Sequence, residues 1–292
     1  MNSKFTLLRA LALVAMAHLL GAQDPPADAA KAKEKAELPK ELSAWPMLTA
    51  PDRDRALSLT GQFKKDDEAL RKAARDELLA MGAGAAPILF QKVGDAEKEL
   101  ALNEELFVVF DSMLAAEHRG LMAEQVKKKK IELRKYLLRR LCLMADPASK
   151  TTFEPFRKDA DETVKLYANL GLAAIKDGDA LLVVLEMTRK AWADHVDLVK
   201  QALPSARCSE CAKVVCAFMQ PENNETKAAG LRILRYVGTE AEQATIKLML
   251  TSEDHGVVKE AINALRVIHG MDPLEKLSAF DAIGMAKEWQ SK

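Results

Sequence analysis

A helical pattern that returns about every 31 residues constrains the fold of this chain more than any other feature. Small or apolar residues recur at i, i+4 and i+7 as Ala74/Leu78/Met81, Leu106/Phe110/Met113, Leu138/Cys142/Ala145, Ala168/Leu172/Ile175, Leu198/Ala202/Ser205, Ala229/Ile233/Tyr236 and Ala261/Leu265/Ile268. Their first members stand 32, 32, 30, 30, 31 and 32 residues apart. One helix pair cannot bury its apolar stripe alone, whereas stacked pairs bury a continuous core. The spacing therefore predicts an all-α chain, an α-solenoid of about seven helix pairs, with each ladder on the second helix of its pair.

The first helices of three pairs are legible at residues 178–190, 205–219 and 239–250. Residues 225–238 align with 257–270 at an offset of 32, and both end in glycine, Gly238 and Gly270, where a left-handed cap is expected. Asp272-Pro273 reads as a cap followed by proline at the first position of a closing helix. The pattern is weakest at residues 96–160 and around Leu198, where Pro204 interrupts it and Ser205 fills an apolar slot.

The N-terminus reads as an export signal. Lys4 and Arg9 precede a short apolar run, Leu11 to Leu20, and small residues follow at Gly21 and Ala22. Cleavage is expected after Ala22, with a second small-x-small site ending at Ala17. Residues 1–22 are thus a signal peptide, and the mature chain is periplasmic or secreted and not an integral membrane protein. Residues 23–44 combine Pro, Ala, Lys and Glu with almost no bulky apolar side chain, which predicts a flexible linker. The array is expected over residues 45–292.

Residues 70–95 resemble the HEAT repeat family in its short form. Arg71, Ala74, Leu78, Gly82, Ala86, Pro87, Leu89 and Asp95 stand at or within a residue of that pattern. The resemblance implies that the second helices line a concave face. It also implies that Arg71 pairs with Asp66 or Asp67, and Lys165 with Asp161, in the turn before each helix. The row three residues before each ladder, Arg71, Asn103, Lys135, Lys165, His195, Thr226 and Val258, would be displayed on that face.

Lys+Arg and Asp+Glu both total 43, so net charge gives no global reason to expect nucleic acid, a disfavoured partner for an exported chain. Residues 127–140 nevertheless hold eight basic side chains: Lys127, Lys128, Lys129, Lys130, Arg134, Lys135, Arg139 and Arg140. They read either as the solvated face of an amphipathic helix or as a docking patch for an anionic polymer or membrane surface. Cys208, Cys211 and Cys216 form a local cluster, and Cys142 occupies a ladder rung. A disulfide is expected within the cluster, most simply Cys208–Cys211, with free thiols or metal and redox chemistry as alternatives.

No H-E-x-x-H, G-x-S-x-G, G-x-x-x-x-G-K-[ST] or strand-linked G-x-G-x-x-G occurs among the 292 residues. The reading is an exported scaffold that is not an enzyme, needs no cofactor or metal, and binds a protein partner along its concave face. The anionic docking module is the second reading, and a thiol or metal protein centred on the cysteine cluster the third.

Overall fold

A computed structural model describes residues 38–128, 130–220 and 223–292. The expected signal peptide and residues 23–37 of the expected linker lie outside them. Among the described residues the chain is helical with no strand. In chain order the helices are α1 (Ala50–Thr60), α2 (Glu68–Met81), α3 (Ala86–Phe90), α4 (Ala96–Met113), α5 (Arg119–Val126), α6 (Ile131–Met144), α7 (Lys150–Phe153) and α8 (Glu162–Ala174). They continue with α9 (Gly178–Lys190), α10 (Trp192–Ala202), α11 (Ser209–Phe218), α12 (Asn224–Val237), α13 (Gln243–Met249), α14 (His255–Ile268) and α15 (Ala279–Ser291). No helix among the described residues is long and apolar enough to cross a membrane.

Local chemistry fixes most of the starts. Asp67, Asp95, Asp161, Asp177, Asn223 and Asp254 each hold extended backbone and accept backbone N–H bonds from the first turn of α2, α4, α8, α9, α12 and α14. The ladders then fall on the even-numbered helices or at their C-terminal caps, except Ser205, which lies in the 3₁₀ turn after α10. Only Met81, Ile175 and Ser205 among the ladder residues are less than fully buried. Each buried Leu or Ile contributes about 1.5–3 kcal/mol relative to exposure. α6 packs on α8, and α12 on α14, as consecutive ladders should.

The interior helices are buried on two faces, which a single ladder does not anticipate. On α8, Ala168 and Leu172 are buried, and so are Leu166, Leu170 and Ala173 on another side. α10 explains part of this, because it packs against α6, α8 and α9. Residues 203–206, a 3₁₀ turn containing Pro204, lie against both α8 and α12. The Ser205 hydroxyl donates to carbonyls of Ala174 at 2.9 Å and Ala202 at 2.6 Å, so the polar rung is satisfied where an apolar one was expected.

Three boundary expectations are corrected. Asp272-Pro273 does not open the last helix. Asn263 in α14 is buried, donates to Leu274 O at 3.1 Å and accepts from Leu274 N–H at 2.7 Å, tying this segment to α14 in a non-helical conformation. Helix α15 begins instead behind Ser278, whose hydroxyl accepts from Asp281 N–H. Gly270 has φ of 77°, as expected, but Gly238 is extended at φ −73°, ψ 160°. Glycine is required at Gly238 for space: a Cβ would stand 2.5 Å from Leu234 O. The third correction concerns the linker, whose last residues are tied down: Leu42 N–H donates to Glu117 O at 2.8 Å, and Arg119 donates to Pro39 O at 2.6 Å and pairs with Glu41 at 2.9 Å.

Candidate binding surfaces

The expected display row is not an open surface. Asn103 and Val258 are buried, and Arg71, Lys135, Lys165, His195 and Thr226 are half-buried. Asn103 is consumed by Gly94, accepting from its N–H at 2.9 Å and donating to its carbonyl at 3.1 Å. The charged members bond differently from what the family resemblance implies. Arg71 pairs with Glu68 and with Glu105 on α4, while Asp67 caps α2. Lys165 pairs with Glu162, and Asp161 is taken by Lys135 of the preceding ladder helix at 2.9 Å.

These bonds belong to a wider pattern. Arg75–Glu105, Arg119–Asp146, Lys135–Asp161, Arg157–Asp177, Arg189–Glu225 and Arg232–Glu260 each join segments 20 to 36 residues apart. Charges that look solvent-directed in a single helix are thus shared between neighbours. Burial works against the Lys135 ammonium, but its bonds to Asp161 and Glu132 outweigh this and raise its pKa. The most enclosed case joins Arg235 and Arg232 of α12 to Glu260 of α14, with both guanidiniums over the Trp192 ring at 5.9 and 5.7 Å.

The basic run of residues 127–140 is divided by the fold. Lys127 pairs with Glu124 at 2.8 Å, and Lys128 is exposed. Lys129 lies outside the described residues. Lys130 donates to the carbonyls of Gln91 and Val93. Arg134 donates to Val126 O and Lys128 O, faces Asp159 and lies 4.8 Å over Phe156. Arg140 donates to Leu114 O and pairs with Asp111 at 3.5 Å. Arg139 is half-buried on α6. Four of the eight residues, Lys130, Arg134, Lys135 and Arg140, therefore tie α6 and the segment before it to their surroundings.

The cysteines are free thiols in the structure, and Cys208 and Cys211 are not joined. Cys208 is the extended residue before α11, and its Sγ accepts from Cys211 N–H at 3.5 Å. Burial, and then the contact with Cys208, pushes the Cys211 thiol up to about 12. Cys142, fully enclosed on α6, is likewise pushed up to about 12 by burial. Both are poor nucleophiles near neutral pH. Among the described residues no group of three or more His, Cys, Asp and Glu is placed to hold a metal ion.

An apolar surface that the ladders did not reveal lies at the C-terminal end. Phe280 is 85% exposed and Ile283 58% exposed on α15. Phe280 lines a groove of about 470 Å³ together with Leu274, Leu277 and Met285, with Lys276, Asp281 and Glu288 at its polar positions. The sequence signal was available in α15: only Ala282, Ala286 and Trp289 of that helix are buried, leaving larger apolar residues on another side.

No protein-family model matches the chain, and no curated protein matches it. Among solved structures it is similar to human deoxyhypusine hydroxylase in complex with glycerol, at 15% identity and a TM-score of 0.33, over 82% of this chain and 96% of that one. An engineered protein from a structural genomics consortium is similar at 16% identity and a TM-score of 0.32, over 76% and 99%. Likenesses this distant assign no family and no activity. The first does correct one expectation. A protein that the chain is similar to is an enzyme, so the missing sequence motifs are no ground for the statement that this chain is not one.

Proposed function

We propose that this chain is an exported HEAT-like α-solenoid scaffold that binds a protein partner. The solenoid reading is supported by the ladder period, by the packing of α6 on α8 and α12 on α14, and by ion pairs that join successive units. The binding reading rests on Phe280, 85% exposed at the groove of α15, and on Ile283, 58% exposed three residues along the same helix. Large apolar side chains that stand clear of the core beside a concavity are the features a protein interface covers. The contact surface is thereby moved from the middle of the expected concave face, where α10 packs on α6 and α8, toward the C-terminal end.

The test is cross-linking and co-purification of the full mature chain from its own envelope fraction, compared with a Phe280→Ser/Ile283→Ser double variant. A stoichiometric protein recovered with the parent and lost with the variant, at unchanged helical circular dichroism, is the expected result. Equal recovery with both chains would move the interface elsewhere. Retention on an anionic resin with no recovered protein would overturn the scaffold reading.

A further inference from the structure

The fold assembles a cationic cavity that no single stretch of sequence contains. It measures about 330 Å³ and is lined by Thr60 at the end of α1, Gly61 and Lys64 after it, residues 91–94 between α3 and α4, and Lys130 before α6. Glu99 and Leu102 of α4 complete it. Three ammoniums, those of Lys64, Lys92 and Lys130, face one carboxylate, an excess of two positive charges.

The walls are held from several sides. Buried Asn103 clasps the amide of Gly94 through both its N–H and its carbonyl. Lys130 Nζ ties down the carbonyls of Gln91 and Val93. Gly94 leaves room for Glu99, since a Cβ there would meet Glu99 Cγ at 2.7 Å. At Glu99 the α4 backbone departs from helical geometry, with φ −129° and ψ 30°, and its carboxylate reaches Lys64 Nζ at 2.8 Å.

The ammoniums are not mutually neutralised. Two of the three Lys130 hydrogens go to carbonyls, which leaves one. The Lys92 backbone N–H donates to Leu89 O, but its side chain makes no hydrogen bond or ion pair among the described residues, so the three hydrogens of its ammonium are available. Burial, and then the charge of Lys92, pulls the Lys130 pKa down, as expected for a partly enclosed ammonium with a second one nearby.

We propose that this cavity binds a dianionic tetrahedral oxyanion, the phosphate group, through Lys92, Lys130 and Lys64. A dianion matches the excess charge, and its oxygens can accept from several ammoniums at once. The cavity volume leaves room for a substituent, so the phosphate can be free or the headgroup of a lipid. This site is independent of the α15 groove and stands or falls without it.

The test is a titration of the full mature chain with inorganic phosphate in low salt, read by thermal shift and by calorimetry. A second arm measures sedimentation with phosphatidylcholine vesicles that contain or lack phosphatidic acid. Lys92→Gln is the informative variant, because Lys92 holds no structural bond, whereas Lys130→Gln can loosen the connection it braces. Saturable binding should weaken about fivefold to tenfold in Lys92→Gln, the effect of removing one close, partly screened charge. It should tighten in Glu99→Gln, which frees Lys64. Lys92-dependent binding of phosphate alone identifies a soluble source, and Lys92-dependent binding of the phosphatidic acid vesicles identifies a lipid headgroup. No saturable binding in either arm, or binding indifferent to both substitutions, overturns the site.

Discussion

Helices α12 and α14 and helices α8 and α10 carry the same sequence period but pack differently. Every ladder slot of α12 and α14 is apolar and buried, the helices lie against each other, and Arg232 and Arg235 reach across to Glu260. In the other pair α10 stops at Ala202, Pro204 occupies the following 3₁₀ turn, and that turn lies against α8 and α12. Proline lacks the N–H that a continuing helix needs and crowds the preceding turn. The helix that should extend the stack packs on α6, α8 and α9 instead. The unit keeps its apolar rungs at Leu198 and Ala202, but the helix stops there and the third position, Ser205, falls in the turn that holds Pro204.

The largest separation between the two regions should come from Glu260→Ala. Arg235 is 5% exposed, and removing its carboxylate leaves a buried guanidinium uncompensated, at a cost of about 3–5 kcal/mol in urea unfolding. A loss below about 1 kcal/mol would show that apolar packing alone holds the α12–α14 seam.

Cys142, on the other regular seam of α6 and α8, makes stability depend on alkaline pH. Its thiol is raised from 9.0 to about 12, so the folded state favours the neutral form. That stabilisation is complete below pH 9.0 and fades as pH rises toward 12. The loss is about 1.4 kcal/mol per pH unit in this window. Urea titrations at pH 8 and pH 10 should differ more for the parent chain than for Cys142→Ala. An equal difference in both would remove the thiol from the account.

At the irregular unit, Ser205→Ala should cost only about 1 kcal/mol, since it removes a hydroxyl that donates to two carbonyls in a half-buried turn. A cost matching that of Glu260→Ala would mean that the α8–α10 junction is as tightly built as the regular seam. The smallest effect concerns the thiols. Without reductant, denatured protein should take up four alkyl groups, and native protein should react at Cys208 and Cys216 before Cys142 and Cys211. Two alkylated cysteines, mapped to Cys142 and Cys216, would restore the Cys208–Cys211 disulfide.

How much the sequence revealed varies by element. The spacing of residues 178–190 predicts the helix that α9 forms over Gly178–Lys190, because Asp177 caps it and its apolar spacing is local. The closing helix begins several residues after Asp272-Pro273, although that pair is a good local start signal. Asn263, a residue of another helix, outcompetes it by bonding both the N–H and the carbonyl of Leu274. The basic run was visible as composition. Its division into a brace at Lys130, a stacked Arg134, a paired Lys135 and a tethered Arg140 was not, since each partner comes from elsewhere in the chain.

By itself, the sequence determined the helical content, the ladder period and most of the capped helix starts. The helical content and the caps follow from interactions within a few residues, and the period is written in the order of the residues themselves. Only the tertiary structure decided which carboxylate each arginine meets, where α10 lies, and that Lys64, Lys92 and Lys130 surround one cavity. Such pairings depend on which surfaces come together after tens of intervening residues have folded. A period fixes the spacing of its units along the chain, and the packing of their side chains fixes how they face one another.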